Sequence, residues 1–266
     1  MEENQYLIDF YNDYDEDERL VSLHGSVEFL TTMRYIEKYL EPGNRILEIG
    51  AATGRYSHTL ARRGYEVDAV ELLEHNIEIF KKNTQADEKI TVTRGNAMDL
   101  TGFPDNKYNI TLLLGPLYHL YNEDDKRQVI SEALRVTKPD GIVFAAYCIS
   151  DGCIRDDGFG RGNFDVGDMV ERGLIDPETF AMRSEPKELF ELIRKEDIDR
   201  LMSRFPVERL HYVAADGYTL SMRETVDAMD DTTFELYLKY HFATCERDDL
   251  IGATCHSLDV FRKTGL

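Results

Sequence analysis

Ile46–Ser57 reads ILEIGAATGRYS. The short apolar run ILEI, ended by a glycine, has the pattern of a buried strand. A turn holding Gly50 and Gly54 comes next, and then a helical stretch. Glycines in a strand-to-helix turn let the backbone approach a ligand closely, and the first turn of the helix offers unpaired N–H groups. Two nucleotide-binding turns compete for this stretch. The dinucleotide fingerprint needs small residues at G-x-G-x-x-G spacing. Counted from Gly50, its third glycine falls on bulky Arg55. A turn with small residues at every second position fits better, with Gly50, Ala52 and Gly54 and one alanine in place of glycine.

Working outward, strand and helix signals alternate. Arg45–Ile49 predicts a strand, and Ser57–Arg63 a helix stopped by Gly64. Glu66–Glu71 (EVDAVE), Lys89–Arg94 (KITVTR) and Tyr108–Leu114 (YNITLLL) predict further strands, with Glu74–Thr84 helical between the first two. Asn122 is placed as an N-cap, and Glu123, Asp124 and Asp125 after it suit the positive start of a helix. Val129, Ile130, Ala133 and Leu134 would point inward from that helix. Pro139-Asp140-Gly141 reads as a turn before the strand Ile142–Cys148. Strands and helices alternating at this spacing predict βαβ units and a doubly wound α/β sheet. Ahead of them, Phe29, Met33, Ile36 and Leu40 mark Glu28–Leu40 as an amphipathic helix.

After Cys148 the periodicity fails. Ile149–Pro186 reads as a long loop or small cap, of the kind that is usually functional when it interrupts a domain. Lys187–Arg204 predicts a helix, Val207–Ala215 a strand, Ser221–Arg247 a helix broken near Asp230-Asp231, and Ser257–Lys263 a last strand. The expected organisation is one domain over 1–266. It has an N-terminal lid and helix at 1–40, a cofactor core at 41–148, and caps over the substrate at 149–205 and 217–256.

Composition narrows the function. The 266 residues carry a formal net charge of −20, which argues against a DNA or RNA partner. No apolar run reaches the ~18 residues of a membrane span, and the first twenty residues lack the pattern of a signal peptide, so the expected location is cytoplasmic. The acidic run Asp13–Glu18 reads as a solvated face. The four cysteines show no C-x-x-C spacing. A zinc set of His241, Cys245, Cys255 and His256 can be drawn, but its spacings match no common module, and no metal is expected.

Two further features bear on the ligand. Glu71 ends the second strand 21 residues after Gly50, where a carboxylate can accept from ribose hydroxyls, a placement shared with NAD enzymes. Leu114-Gly115-Pro116-Leu117-Tyr118-His119-Leu120 lies just past the fourth strand. His119 is the best-placed candidate base, because a neutral imidazole can take a proton near pH 7. His24, His241 and His256 are weaker candidates.

Residues 41–148 resemble class I S-adenosylmethionine (SAM)-dependent methyltransferases of the small-molecule type. The matches are ILEIGAATGRYS, VDAVEL, RGNAMDL, NITLLLGPLYHL and KPDGI, and SLDVFRK after VERLHYVAA is similar to the family's terminal antiparallel strands. YNDYDEDERL and the distal FELYLKYHFATCERDDLIGATCHSLDVFRK resemble an uncharacterised bacterial branch. The resemblance implies a seven-stranded Rossmann-like sheet with an antiparallel last strand, methyl transfer by in-line displacement, and S-adenosylhomocysteine as product. It also implies roles. Gly50, Ala51 and Gly54 would line the methionine part of SAM, and Glu48 would reach its amino group through water. Glu71 would hold the ribose, with Leu72 against the adenine. Asn96, standing where the family has Asp, would bind the adenine edge with Ala97, and Met98 would pack nearby. Leu114 and Gly115 would wall the sulfonium. Tyr11, Tyr14 and Arg19 would fold over the cofactor and pair with its carboxylate. His119, Tyr118 and Tyr14 would face the acceptor, expected to be a small molecule. The loop Gly115–Tyr118 is not the Asn/Asp-Pro-Pro-aromatic loop of enzymes that methylate amide-like or adenine nitrogens, and no pattern of metal carboxylates points to a catechol-type site. A protein or RNA methyltransferase, a non-catalytic SAM-binding regulator and a nicotinamide-dependent oxidoreductase remain as alternatives.

Overall fold

A computed structural model describes residues 2–13 and 22–265 of the chain. Tyr14 and Arg19, and most of the acidic run with them, lie outside the described residues.

Among the described residues the sheet has eight strands. These are β1 (Arg45–Ile49), β2 (Glu66–Glu71), β3 (Ile90–Arg94), β4 (Tyr108–Leu113), β5 (Thr137–Ile149), β6 (Leu192–Ile193), β7 (Val207–Ala214) and β8 (His256–Lys263). Their order is β3-β2-β1-β4-β5-β8-β7, with β6 beside β5. The pairs among β1 to β5 are all parallel, while β8 runs antiparallel to both β5 and β7. This is the expected doubly wound sheet with an antiparallel last strand, plus one short strand. The chain winds outward from β1 in both directions, so the order reverses between β1 and β4. Ligands of such sheets bind in the crevice beyond the carboxyl ends at that reversal.

The helices of this core are α1 (Glu2–Asp13), α2 (Leu23–Glu37), α3 (Arg55–Arg62), α4 (Glu74–Asn83) and α5 (Glu123–Val136). Asn122 caps α5, its side chain accepting the Asp125 N–H at 2.8 Å. Ser22 caps α2 in the same way, so that helix starts five residues ahead of the apolar stripe that predicts it. Ile46, Leu47, Leu112, Val143 and Phe144 of the sheet are wholly buried, with Leu60, Val129, Ile130 and Ala133 of the helices packed into the same core.

Two expectations are corrected. Pro139-Asp140-Gly141 is no turn ahead of a strand. The chain stays in β5, and the ladder to β4 slips between Tyr108 and Ile110 as a bulge, with Asp140 at φ +61°. Nor is Lys187–Arg204 one helix. Leu189 sits at φ +67°, a conformation no α-helix holds, and Leu192 and Ile193 pair with Cys148 and Ile149. Only α8 (Lys195–Met202) is α-helical there, behind a short 3-10 turn at Pro186–Glu188.

Residues 149–186 form α6 (Ser150–Cys153), a wide helical turn at Ile154–Gly160 and α7 (Val166–Glu171). They close over a small core of their own, built from Ile154, Val166, Met169, Leu174 and Ile175. Beyond β7 come α9 (Arg223–Asp227) and α10 (Asp231–Thr244), separated as expected, with Asp230 capping the second. Among the described residues no helix is long and apolar enough to cross a membrane, and no group of three or more His, Cys, Asp or Glu residues could hold a metal ion. The four cysteines are free and buried.

Candidate functional site

The turn after β1 is held by main-chain bonds. Gly50 and Ala51 both donate to the Val70 carbonyl, at 2.8 and 3.1 Å. Gly54 stands at φ +92°, and a Cβ there would lie 2.4 Å from the Phe80 ring, so the position admits only glycine. Gly50, at φ +73°, has no room either, since a Cβ would meet the Pro116 ring at 2.7 Å. Ala52 takes φ +45° despite its side chain. Its N–H donates to Glu71 Oε2 at 2.9 Å, which offsets the strain of that backbone.

Glu71 is buried at the carboxyl end of β2. Its Oε1 accepts the Leu73 N–H at 2.9 Å and the Asn76 amide at 3.3 Å. Burial raises its carboxyl above the usual range, and these donors pull it back. A carboxylate has about four acceptor sites. Three are occupied, so a ligand hydroxyl has one open site and competes with Asn76 for another.

A cavity opens over these groups. Its lining brings together Glu48, Gly50, Ala51, Glu71, Leu72, Asn96, Ala97, Met98, Leu114 and Gly115, together with Tyr11, Tyr118 and His119. Every described residue expected at the cofactor except Gly54 therefore lines one cavity, while Gly54 shapes the turn from behind. The loops after β1 and β4 close to backbone contact, since a Cβ on Gly115 would lie 3.2 Å from the Gly50 carbonyl oxygen. Asn96 turns its Oδ1 back onto the Met98 N–H at 3.0 Å, which fixes the loop and leaves the amide NH2 as its donor. Glu48 is tied to the start of α3, its Oε2 accepting from the Ser57 N–H and hydroxyl. Burial pushes it up to about 8, with Ser57 opposing, so it is largely protonated at neutral pH.

The donor set suits a nucleoside-bearing ligand. It offers a fixed carboxylate, an amide, an apolar slot walled by Leu72, Ala97 and Met98, and glycines where backbone must approach. Several contributors to this lining, Leu73 among them, escape a reading of the sequence. Asn76 leaves a faint signal, as a polar residue at the start of an amphipathic helix, five residues after Glu71. Arg55, whose bulk argues against the dinucleotide fingerprint, also reaches the lining and carries its guanidinium over the Phe29 ring, 4.6 Å from the centroid. Leu7 of α1 leaves no signal.

His119 is half-buried. Its Nδ1–H donates to the Leu189 carbonyl at 2.9 Å, which leaves Nε2 as an acceptor for the Tyr11 hydroxyl at 3.1 Å. Burial pulls this imidazole down to about 4, against the Leu189 bond, so it is neutral at pH 7. The Tyr118 hydroxyl donates to the Leu114 carbonyl at 2.9 Å. Around these residues the rings of Phe10, Tyr11, Tyr118, His119 and Phe190 form one cluster with centroids 4.9–6.0 Å apart.

A second cavity of about 1200 Å³ lies beyond, lined by α1, α2 and the 149–192 and 216–223 segments. Tyr11 and Tyr118 line both cavities. Its floor holds a pair joined across 40 residues of sequence. Asp216 Oδ2 accepts from His256 Nδ1 at 2.7 Å, while Oδ1 accepts from Thr254 Oγ1 and from the N–H groups of Cys255 and His256. Burial lowers the affinity of His256 for a proton, but Glu28, Cys148 and Asp216 together raise it well above the usual range, so the pair is an imidazolium on a carboxylate. Neither His24 nor His241 joins the aromatic cluster. His24 bonds Asp227 at 2.7 Å, and His241 is buried beneath Gly217.

Residues 47–145 match the family described as a methyltransferase domain. The chain is 26% identical over 144 residues to glycine/sarcosine N-methyltransferase of Aphanothece halophytica, which covers 53% of each protein. It is 33% identical over 100 residues to demethylmenaquinone methyltransferase of Clavibacter sepedonicus, covering 37% of this chain and 39% of that one. The chain thus spans about half or less of the length of these curated relatives. In fold it is similar to a SAM-dependent methyltransferase of Methanosarcina mazei, with a TM-score of 0.56 at 18% identity over 86% of this chain and 97% of that one. It is likewise similar to phosphoethanolamine N-methyltransferase 1 of Haemonchus contortus, solved with phosphoethanolamine and S-adenosylhomocysteine. There the TM-score is 0.61 at 12% identity, covering 100% of this chain and 49% of that one.

Proposed function

We propose that this chain, a class I SAM-dependent methyltransferase by domain match and fold, transfers the methyl group of SAM to a small-molecule acceptor held in the second cavity. The observation that carries this reading is the junction of the two cavities. Tyr11 and Tyr118 line both, so a ligand seated on Glu71 and Asn96 meets a second ligand only there.

Bound SAM supplies a methyl group already activated on a sulfonium. The chain's residues bind, align and dry the reactants. Glu71 and Asn76 take the ribose hydroxyls, Asn96 and Ala97 the adenine edge, and Leu72 and Met98 its faces. Gly50, Ala51, Leu114 and Gly115 bring main chain against the methionine part. Tyr11, on α1, closes the cavity and is fixed there by His119. A neutral imidazole held near 4 is a poor base for an unactivated proton, so the first duty of His119 is to orient the Tyr11 hydroxyl. The 149–192 and 216–256 segments cap the acceptor.

Calorimetry with SAM and, separately, NAD tests the cofactor. Binding of SAM with a Kd in the micromolar range and no NAD binding is expected, and the reverse would overturn the reading. Labelled SAM incubated with the protein and a metabolite extract should label small molecules. Label confined to macromolecules would replace the acceptor class, and SAM binding without any transfer would leave a SAM-binding protein that is not a catalyst.

A further inference from the structure

The second cavity is chemically lopsided. Among the described residues six carboxylates line it (Glu28, Asp157, Asp165, Asp168, Glu188 and Asp216) against three guanidiniums and the imidazolium of His256. Each guanidinium is committed. Arg161 bonds Asp157 at 3.3 Å, Arg172 bonds Asp168 at 3.3 Å and also Glu188, and Arg223 is turned onto buried Asp156. The imidazolium of His256 is likewise spent on Asp216. Glu188 keeps its Oε2 buried without a hydrogen-bond partner. At the end next to the cofactor cavity stand the rings of Phe10, Tyr11, Tyr118 and Phe190. Ring faces carry negative potential and attract cations within about 6 Å of the centroid. The one ionisable base in that cluster, His119, adds no positive charge at neutral pH.

We propose that the acceptor is an amine, taken up as its ammonium ion, and that the junction of aromatic rings is its binding site for the nitrogen. The proposal rests on the methyltransferase reading above and names the acceptor class for that site. The pairs that commit the guanidiniums and His256 also engage Asp157, Asp168, Glu188 and Asp216, but the six carboxylates still outnumber the four cations of the described lining, which favours a cation, and committed guanidiniums do not offer an anion a partner. Neutral acceptors gain nothing from either feature.

The chemistry balances. The ammonium first gives one proton to water. The freed nitrogen lone pair then forms the N–C bond as the C–S bond breaks, and the bonding pair goes to sulfur, leaving the neutral thioether. The positive charge of the sulfonium reappears on the methylated nitrogen, so the product, like the ammonium first taken up, is a cation suited to the aromatic and acidic lining.

The test uses a cation that cannot react. Tetramethylammonium chloride and, in parallel, sodium acetate are titrated by calorimetry into the full-length protein saturated with S-adenosylhomocysteine. Tetramethylammonium should bind with a Kd in the millimolar range and acetate should not. Phe190→Leu keeps apolar bulk and removes the ring, and should weaken tetramethylammonium about fivefold while S-adenosylhomocysteine binds as before. A panel of primary amines, alcohols, thiols and carboxylic acids on one carbon skeleton, offered with labelled SAM, should give label in the amine alone. Acetate binding without tetramethylammonium binding, unchanged affinity in Phe190→Leu, or label in the alcohol, thiol or acid each overturns the proposal while leaving the methyltransferase reading in place. Failure of SAM and S-adenosylhomocysteine to bind overturns both.

Discussion

Around Gly50 and Glu71 the polar groups are satisfied by main chain. The Val70 carbonyl takes two N–H groups, and Glu71 takes two more. Around the second cavity main-chain N–H groups meet Asp165 and Asp216, but the rest of the task falls to long side chains. Arg172 spans Asp168 and Glu188, Arg194 reaches Asp151 at 3.1 Å, and Arg223 holds Asp156. A main-chain bond survives most changes of sequence, whereas a side-chain pair survives only if both partners stay. The cofactor half is therefore expected to be a stiff scaffold whose ligand is set by backbone. The cap rests on a satellite core of five buried apolar residues and a few ion pairs, and can be rebuilt for a different acceptor without disturbing the sheet.

The sharpest way to break this contrast is to strand a buried charge in the cap. Arg223→Ala leaves Asp156, about 5% exposed, without its partner. Removal of one member of a buried pair costs about 3–5 kcal/mol. Hydrogen exchange across residues 154–175 should speed up, while SAM affinity by calorimetry stays within about twofold. Weakened SAM binding would mean that cap and core are one cooperative unit. The converse change is Gly54→Ala. Left-handed backbone costs an L-residue about 1–2 kcal/mol, and the collision with Phe80 adds about 1–3 kcal/mol more. Chemical denaturation should show that loss, SAM should bind more weakly, and exchange in 154–175 should not change. Next comes Glu71→Ala, which removes the carboxylate proposed to hold the ribose and orphans the Ala52 and Leu73 N–H groups. Loss of a charged hydrogen-bond partner is worth about 1.5–3 kcal/mol, or about 10- to 100-fold in SAM affinity. Unchanged affinity would take Glu71 out of the cofactor site.

The same contrast explains what could be read from sequence. β4 is a nearly continuous apolar strand, β1 and β2 mix apolar with charged residues, β3 alternates, and Gly50, Glu71, Asn96 and Leu114 sit at or just past the ends of β1 to β4, so the strand pattern marks where the first cavity opens while the roles of its lining come from the family resemblance. α3 starts at Arg55 rather than Ser57 because Gly54 caps it through backbone alone, with no side-chain signal. β6 has two residues, too few for any period, and it exists because Cys148–Ile149 offers it a ladder. The acceptor side is assembled from pairs distant in sequence, such as Tyr11 with His119 across 108 residues and His256 with Asp216 across 40. Nothing local marks such partners. The histidine at 119 could be singled out by its position after β4, but its proton affinity is set by burial against Phe190 and the 189 carbonyl, which are tertiary facts.

The smallest expected effect tests the hinge between the two halves. His119→Phe keeps a ring in the aromatic cluster and removes the acceptor for Tyr11. SAM affinity should be nearly normal and turnover should fall roughly tenfold, because Tyr11 loses its anchor rather than the cofactor its site. The pH dependence of stability gives a second readout. Burial depresses the His119 pKa from 6.5 to about 4 in the folded chain, so folding favours the neutral ring. That contribution is complete above pH 6.5. It is lost as pH falls from 6.5 toward about 4, where the unfolded chain takes a proton that the folded one refuses, and below that range nothing more is lost. Denaturation midpoints of the wild-type protein should therefore drop across this window more steeply than those of His119→Phe. Parallel curves would mean that the ring is solvated in the folded protein, and the latch between α1 and the loop after β4 would then be open in solution.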